Sequence, residues 1–125
     1  MKLTHSCIIS KDVKRLSEFY ENILQIKGQY HGDDYSEFQM GQFKLSIFNF
    51  DSHESLNPGS ARPTSNKSVI FEFNVEDVDY EYKRLSELNI DWVKPPTVYP
   101  WGAKSFYFRD LDGNLISFYT LLSQD

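Results

Sequence analysis

The chain has 125 residues, with 13 Lys and Arg against 18 Asp and Glu for a formal net charge of −5, and 40% of its residues are hydrophobic. That length supports one core or two fused half-domains but no separate substrate and cofactor domains. The acidic balance and the scattered basic residues leave no cationic face for nucleic acid. Cys7 is the only cysteine, which rules out an intrachain disulfide and thiolate-based zinc sites. No apolar run approaches the ~20 residues of a membrane span and the N-terminus lacks an apolar signal region, so a cytoplasmic protein without a membrane partner is expected.

Residues 3–9 alternate and are rich in β-formers, which predicts a strand, and Asp12 then offers a helix cap. Val13, Leu16, Phe19, Tyr20, Ile23 and Leu24 recur at helical spacing, and Gly28 lies just beyond the stripe. Short β-like runs at 27–30 and 35–40 and a longer strand at 42–50 complete a βαβββ order. Residues 51–67 are polar, hold Pro58, Gly59 and Pro63, and show neither periodicity, which predicts a linker. The pattern then restarts with a strand at 68–75, a helix over 78–88 opened by Asp77 and ended by Asn89, and strands at 92–98, 104–109 and 114–121.

The second half repeats the first. Ser10-Lys11-Asp12-Val13 falls on Val75-Glu76-Asp77-Val78, 65 residues later, and Gly41 to Ser46 falls on Gly113 to Ser117 with one residue of slip. The expected architecture is α+β: two tandem βαβββ modules, residues 1–50 and 68–125 joined by 51–67 in a single domain, forming curved mixed sheets around a cleft. A lone module would leave one sheet face uncovered, so two must pair within or between chains.

The stretch WGAKSFYFRDLDGNLI at 101–116 looks like the terminal WG-x-R-x-FYFRDPDGN-L-I motif of the vicinal oxygen chelate superfamily, with Lys104 for Arg and Leu111 for Pro. FEFNVEDVD at 71–79 is similar to that family's second-module entry. The resembled family includes glyoxalase I, extradiol dioxygenases, fosfomycin-resistance enzymes and bleomycin-resistance binding proteins. Its enzymes hold a divalent metal through four equivalent strand positions, usually His and Glu. Here the resemblance places His5, Ile70, Ser46 and Ser117 at those positions, so one likely ligand of the usual four is present. One imidazole and two neutral hydroxyls are a poor donor set, so no metal and no other cofactor are expected, with a partial His5/Glu72 site as the alternative. His31, in a turn, and His53, in the linker, read as surface histidines.

With His5 pointing inward, strand parity brings Leu3, His5, Cys7 and Ile9, then Ile70, Glu72 and Asn74, then Leu115, Ser117 and Tyr119 to the cleft. Ser36, Phe38, Met40, Tyr107 and Arg109 are weaker candidates. Glu72 is the group expected to meet a positive ligand group, and Trp101, after Pro100 and before Gly102, is a flat side chain offered by a loop for stacking or cation–π contact. His5, Glu72, Trp101, Ser117 and Tyr119 are therefore the expected ligand-binding residues, with His5 also a candidate catalytic base. The resemblance implies a homodimer and a metal-free protein that binds an apolar or aromatic, optionally cationic small molecule, in sequestration or resistance. The alternative it implies is a lyase, isomerase or dioxygenase with a degenerate metal site or with His5 as base.

Overall fold

A computed structural model describes residues 1–122 of the chain. The elements run β1 (His5–Ser10), α1 (Val13–Leu24), β2 (Gln29–Tyr30), β3 (Tyr35–Met40), β4 (Phe43–Asn49), α2 (Phe50–Leu56), β5 (Ile70–Asn74), α3 (Val78–Leu85), β6 (Asp91–Tyr99), β7 (Ala103–Arg109) and β8 (Leu115–Leu121). They fall into two compact units, Met1–Ser65 and a second that starts at Asn66. Each holds one four-stranded mixed sheet, ordered β1-β4-β3-β2 in the first and β5-β8-β7-β6 in the second. In each, the first strand runs parallel to the fourth while the rest pair antiparallel. The two sheets are thus built to one plan, the two-module α+β architecture that the repeat predicts.

The helices form where the stripes predict. Asp12 caps α1 by accepting from the Arg15 N–H at 3.1 Å, and Asp77 caps α3 by accepting from the Tyr80 N–H at 3.0 Å. Such a cap is worth about 1 kcal/mol. Val13, Leu16, Tyr20 and Ile23 of α1 are buried and meet Leu45 and Ile47 of β4 and Phe38 of β3 in the first core. The second core is aromatic: Tyr82 of α3 lies against Trp92 and Phe106, and Phe106, Phe108 and Phe118 contact one another.

Several boundaries differ from the sequence reading. The stretch 51–67 is not wholly irregular, because Asn49 accepts from the Ser52 N–H at 3.0 Å and starts α2. α1 spans Val13–Leu24 as the stripe predicts, and it is Gln25, in the left-handed region (φ 56°), that caps its end. Gly28 beyond it is needed because a Cβ there would lie 3.0 Å from the Phe38 ring. α3 stops at Leu85, and only a turn carries the chain to Leu88. Among the described residues no helix is long and apolar enough to cross a membrane.

Candidate functional site

α1 and α3 each cover one side of their sheet, so residues of opposite parity share the face away from that helix. In the first sheet that open face carries His5, Cys7 and Ile9 of β1, Lys44, Ser46 and Phe48 of β4, and Tyr35, Glu37 and Gln39 of β3. In the second it carries Ile70, Glu72 and Asn74 of β5, Leu115, Ser117 and Tyr119 of β8, and Ser105, Tyr107 and Arg109 of β7. The residues that parity read from sequence grouped together on β1, on β5 and on β8 do share the open face of their sheet, while Leu3 precedes β1. Parity failed on β3: Ser36 and Phe38 face the helix, where Ser36 Oγ lies 2.7 Å from Ser17 Oγ and Phe38 is fully buried.

Register gives an equivalence that counting from the helix cap misses. Cys7 pairs with Ser46 and Ser46 with Glu37, while Glu72 pairs with Ser117, Ser117 with Tyr107 and Tyr107 with Lys94. The two serines hold the same place, and the residues abreast of them are Cys7 and Glu72. His5 lies instead beside Lys44, and Ile70 beside Leu115. These positions supply one thiol, one carboxylate and two hydroxyls, and His5 hydrogen-bonds Thr4 through Nδ1 at 2.8 Å. Among the described residues no three His, Cys, Asp or Glu side chains stand close enough to hold a metal ion. The donor set does not fit the divalent site that the resemblance implies.

The first row is saturated from within. Glu37, whose side chain is 11% exposed, accepts from Lys44 Nζ at 3.2 Å and from the Tyr35 hydroxyl at 3.0 Å, with His31 Nε2 3.6 Å away. Burial pushes the Glu37 carboxyl up, but the Lys44 and Tyr35 hydrogen bonds and the charges of Lys44 and His31 outweigh it and hold it below its ordinary value. Burial pushes the Tyr35 phenol up, and the neighbouring Glu37 adds to that against an opposing Ser46 contact. Burial likewise raises the Cys7 thiol, a rise that Ser46 partly offsets. Ser46 Oγ itself reaches the Ser6 carbonyl at 3.5 Å.

A chain of ring contacts from His31 through Tyr35 and Phe48 to His53 flanks this row. His53 is therefore packed, not a loop histidine, and its Nδ1 is buried without a partner among the described residues. The sequence reading missed Glu37, Tyr35 and Lys44. The signal was available: on β3 the apolar Phe38 belongs with the core, which sends Tyr35, Glu37 and Gln39 to the other side.

The second row is not saturated. Ser117 is 1% exposed, yet its Oγ has no hydrogen-bond partner among the described residues. Glu72 beside it is exposed, and its carboxylate makes no ion pair or hydrogen bond with a described residue. At the far side Trp101 stacks on Tyr99, centroids 4.6 Å apart and planes 13° from parallel, and Tyr99 meets Tyr107 edge-on. Lys94 Nζ stands 4.7 Å from the Tyr99 centroid.

The Trp101 turn closes by a hydrogen bond from the Gly102 N–H to the Tyr99 carbonyl at 3.1 Å, with Gly102 at φ 88°, where a side chain would be strained. Trp101 remains 68% exposed. Glu72, Ser117 and Tyr119 thus share one face of one sheet with Tyr107, which links through Tyr99 to Trp101, whereas His5 belongs to the other unit.

The RDLDGN stretch that carries the resemblance builds a turn. Asp110 accepts from the backbone N–H groups of Asp112 and Asn114 at 2.9 Å each and from Asn114 Nδ2 at 2.8 Å, while Arg109 donates to the Gly113 carbonyl at 3.0 Å. Lys104, at the motif's Arg position, pairs with Asp79 at 2.8 Å. These residues set the β7–β8 register and so align Tyr107 with Ser117.

A model of the Glyoxalase/Bleomycin resistance protein/Dioxygenase superfamily matches residues 2–118. The chain is 28% identical over 128 residues to the uncharacterized protein YraH of Bacillus subtilis (strain 168), covering 98% of this chain and all of that one. It is similar to a solved structure described as a conserved domain protein, at 31% identity and TM-score 0.77 over 97% of this chain and 99% of the other. A superfamily enzyme from Burkholderia phytofirmans PsJN shares the fold at TM-score 0.86 and 15% identity over 98% of this chain and 100% of its own.

Proposed function

We propose that this chain, which belongs to the Glyoxalase/Bleomycin resistance protein/Dioxygenase superfamily, is a metal-free, non-enzymatic member that binds an aromatic or extended apolar small molecule on the open face of its second sheet. The observation that carries the reading is the buried Ser117 Oγ beside Glu72, neither of which has a side-chain partner among the described residues. A buried hydroxyl that makes no hydrogen bond costs about 1–3 kcal/mol. A ligand atom that reaches it recovers that cost, and the Tyr99–Trp101 pair offers the flat apolar surface such a ligand needs. Glu72 favours a positive group on the ligand.

Thermal-shift screening, with tryptamine as the first aromatic cation, tests this. The expected result is stabilisation that Glu72→Gln reduces for tryptamine and not for uncharged indole; equal stabilisation of both variants by tryptamine contradicts the role of Glu72. The metal-free part is tested by elemental analysis. Well under one equivalent of zinc, nickel, manganese or iron is expected, and stoichiometric metal that disappears in His5→Ala contradicts it.

The proposal extends to a homodimer, because Leu3, Val98 and Leu121 are each at least 60% exposed in the single chain. Light scattering should give twice the 14.7 kDa chain mass. A species of single-chain mass contradicts the dimer and leaves the ligand face untouched.

A further inference from the structure

The second sheet's open face carries charge at both ends of its row, and the two ends have opposite sign. Glu72 stands on the edge strand β5, then come Ser117 on β8 and Tyr107 on β7, and Lys94 stands on the other edge strand, β6. A displaced pairing between Trp92 and Lys94 turns Lys94 onto this face, since Trp92 pairs with Phe108 on the core side while Lys94 pairs with Tyr107. Arg109 shares the face, but Asp91 stands opposite it in register and Gly113 O accepts from it. Lys94 has no carboxylate partner among the described residues; its contact is the Tyr99 ring.

A cationic ligand that stacks on Trp101 and Tyr99 can direct its charge to Glu72 but leaves Lys94 without a counterion, so the aromatic end has room for an anion that such a ligand does not supply. The Glu72 end favours the opposite sign. Between them lies the Ser117 hydroxyl, without a partner among the described residues and able to donate or accept.

Resting on the ligand face proposed above, we infer that its ligand is a zwitterion, with an ammonium-type group at Glu72 and a carboxylate-type group at Lys94, joined by a flat apolar body over Tyr107 and Trp101. The row spans three strand spacings, about 14 Å between backbones, so the charges suit a molecule that holds them on the order of 10 Å or more apart. An extended tripeptide has that reach, since three residues span about 10 Å.

Gly-Trp-Gly is therefore the probe, in four forms: free, N-acetylated, C-amidated, and blocked at both ends. Their affinities are read by amide chemical-shift titration, against the unaltered chain and against Glu72→Gln, Lys94→Gln and Trp101→Ala, with each variant's fold verified by circular dichroism. The free peptide should bind tightest, with either block weakening it about three- to fivefold, the size of a partly exposed charge contact. Glu72→Gln should erase the effect of acetylation alone, and Lys94→Gln the effect of amidation alone. Four forms that bind alike, a blocked form that binds tighter, or no binding by the free form at millimolar concentration overturns the zwitterion. If the doubly blocked peptide still binds and Trp101→Ala weakens it, the ligand face survives while the charge assignment falls. If shifts from every form fall only on the first sheet, both fall.

Discussion

The open faces of the two sheets share one layout and differ in what they leave unfinished. In the first, the row through Ser46 meets Glu37, whose carboxylate is held by Lys44 and Tyr35. In the second, the row through Ser117 meets Tyr107 and Glu72, and neither Ser117 Oγ nor Glu72 has a side-chain partner among the described residues. The first unit spends its polar groups on its own stability, while the second keeps them available. The two units are thus two copies of one scaffold, and the face proposed to take a ligand is the one whose polar groups are left without partners among the described residues.

Breaking each side should have opposite consequences. The largest effect is expected from Trp101→Ala, which removes a stacked and exposed indole. Loss of about 1–3 kcal/mol of ligand contact should weaken binding of an aromatic ligand roughly 5- to 150-fold, while stability falls by no more than the about 0.5–1.5 kcal/mol of the stack on Tyr99. Lys44→Met should do the reverse, lowering stability by leaving Glu37 without its cation and sparing binding. A Lys44→Met variant that lost binding as severely would erase the distinction between the faces.

A smaller and sharper contrast lies in the serines. Ser46→Ala should destabilise the chain by about 0.5–1 kcal/mol, since its hydroxyl contacts Ser6 O at 3.5 Å and lies near Tyr35 and Cys7. Ser117→Ala removes a buried group without a partner and should be neutral or stabilising by up to about 1 kcal/mol. Urea denaturation of both variants measures the difference. Equal losses would mean that the Ser117 hydroxyl is satisfied.

One pH dependence follows from the first unit. Because the folded Glu37 carboxyl lies below its ordinary 4.5, its contribution to stability is complete above that value and is lost as pH falls through the lower folded one. Thermal melts should show this acid loss in the unaltered chain and less of it in Glu37→Gln. Smallest of all, the raised Cys7 thiol should react with iodoacetamide at neutral pH more slowly than free cysteine, and Ser46→Ala, which removes the opposing contact, should slow it further.

Much of this was legible in the sequence where a pattern ran long enough to repeat. The α1 stripe gave its bounds, and the 65-residue offset placed Asp12 and Asp77 as equivalent caps. Alternation on β1, β5 and β8 put Cys7, Glu72 and Ser117 on the open side. The seven residues of α2 are too few for a helical stripe to declare itself, and their only sign was Asn49 before a polar run. On β3, taking Ser36 and Phe38 as the open side sent Glu37 to the core, although α1 needs Phe38 beneath Tyr20. The repeat made Ser46 and Ser117 equivalent, but only pairing register puts Cys7 and Glu72 abreast of them in place of His5 and Ile70, which distance from a helix cap does not reveal. What the structure adds to the RDLDGN motif is how its turn is held, with Asp110 accepting from the Asp112 and Asn114 N–H groups.

Amide chemical-shift mapping with tryptamine tests most directly whether the second sheet's open face is the ligand face. The account predicts shifts concentrated at Glu72, Ser117, Tyr107, Tyr99 and Trp101, with Cys7, Ser46 and Glu37 unmoved. Shifts concentrated on Cys7, Ser46 and Glu37, with Trp101 silent, would contradict it.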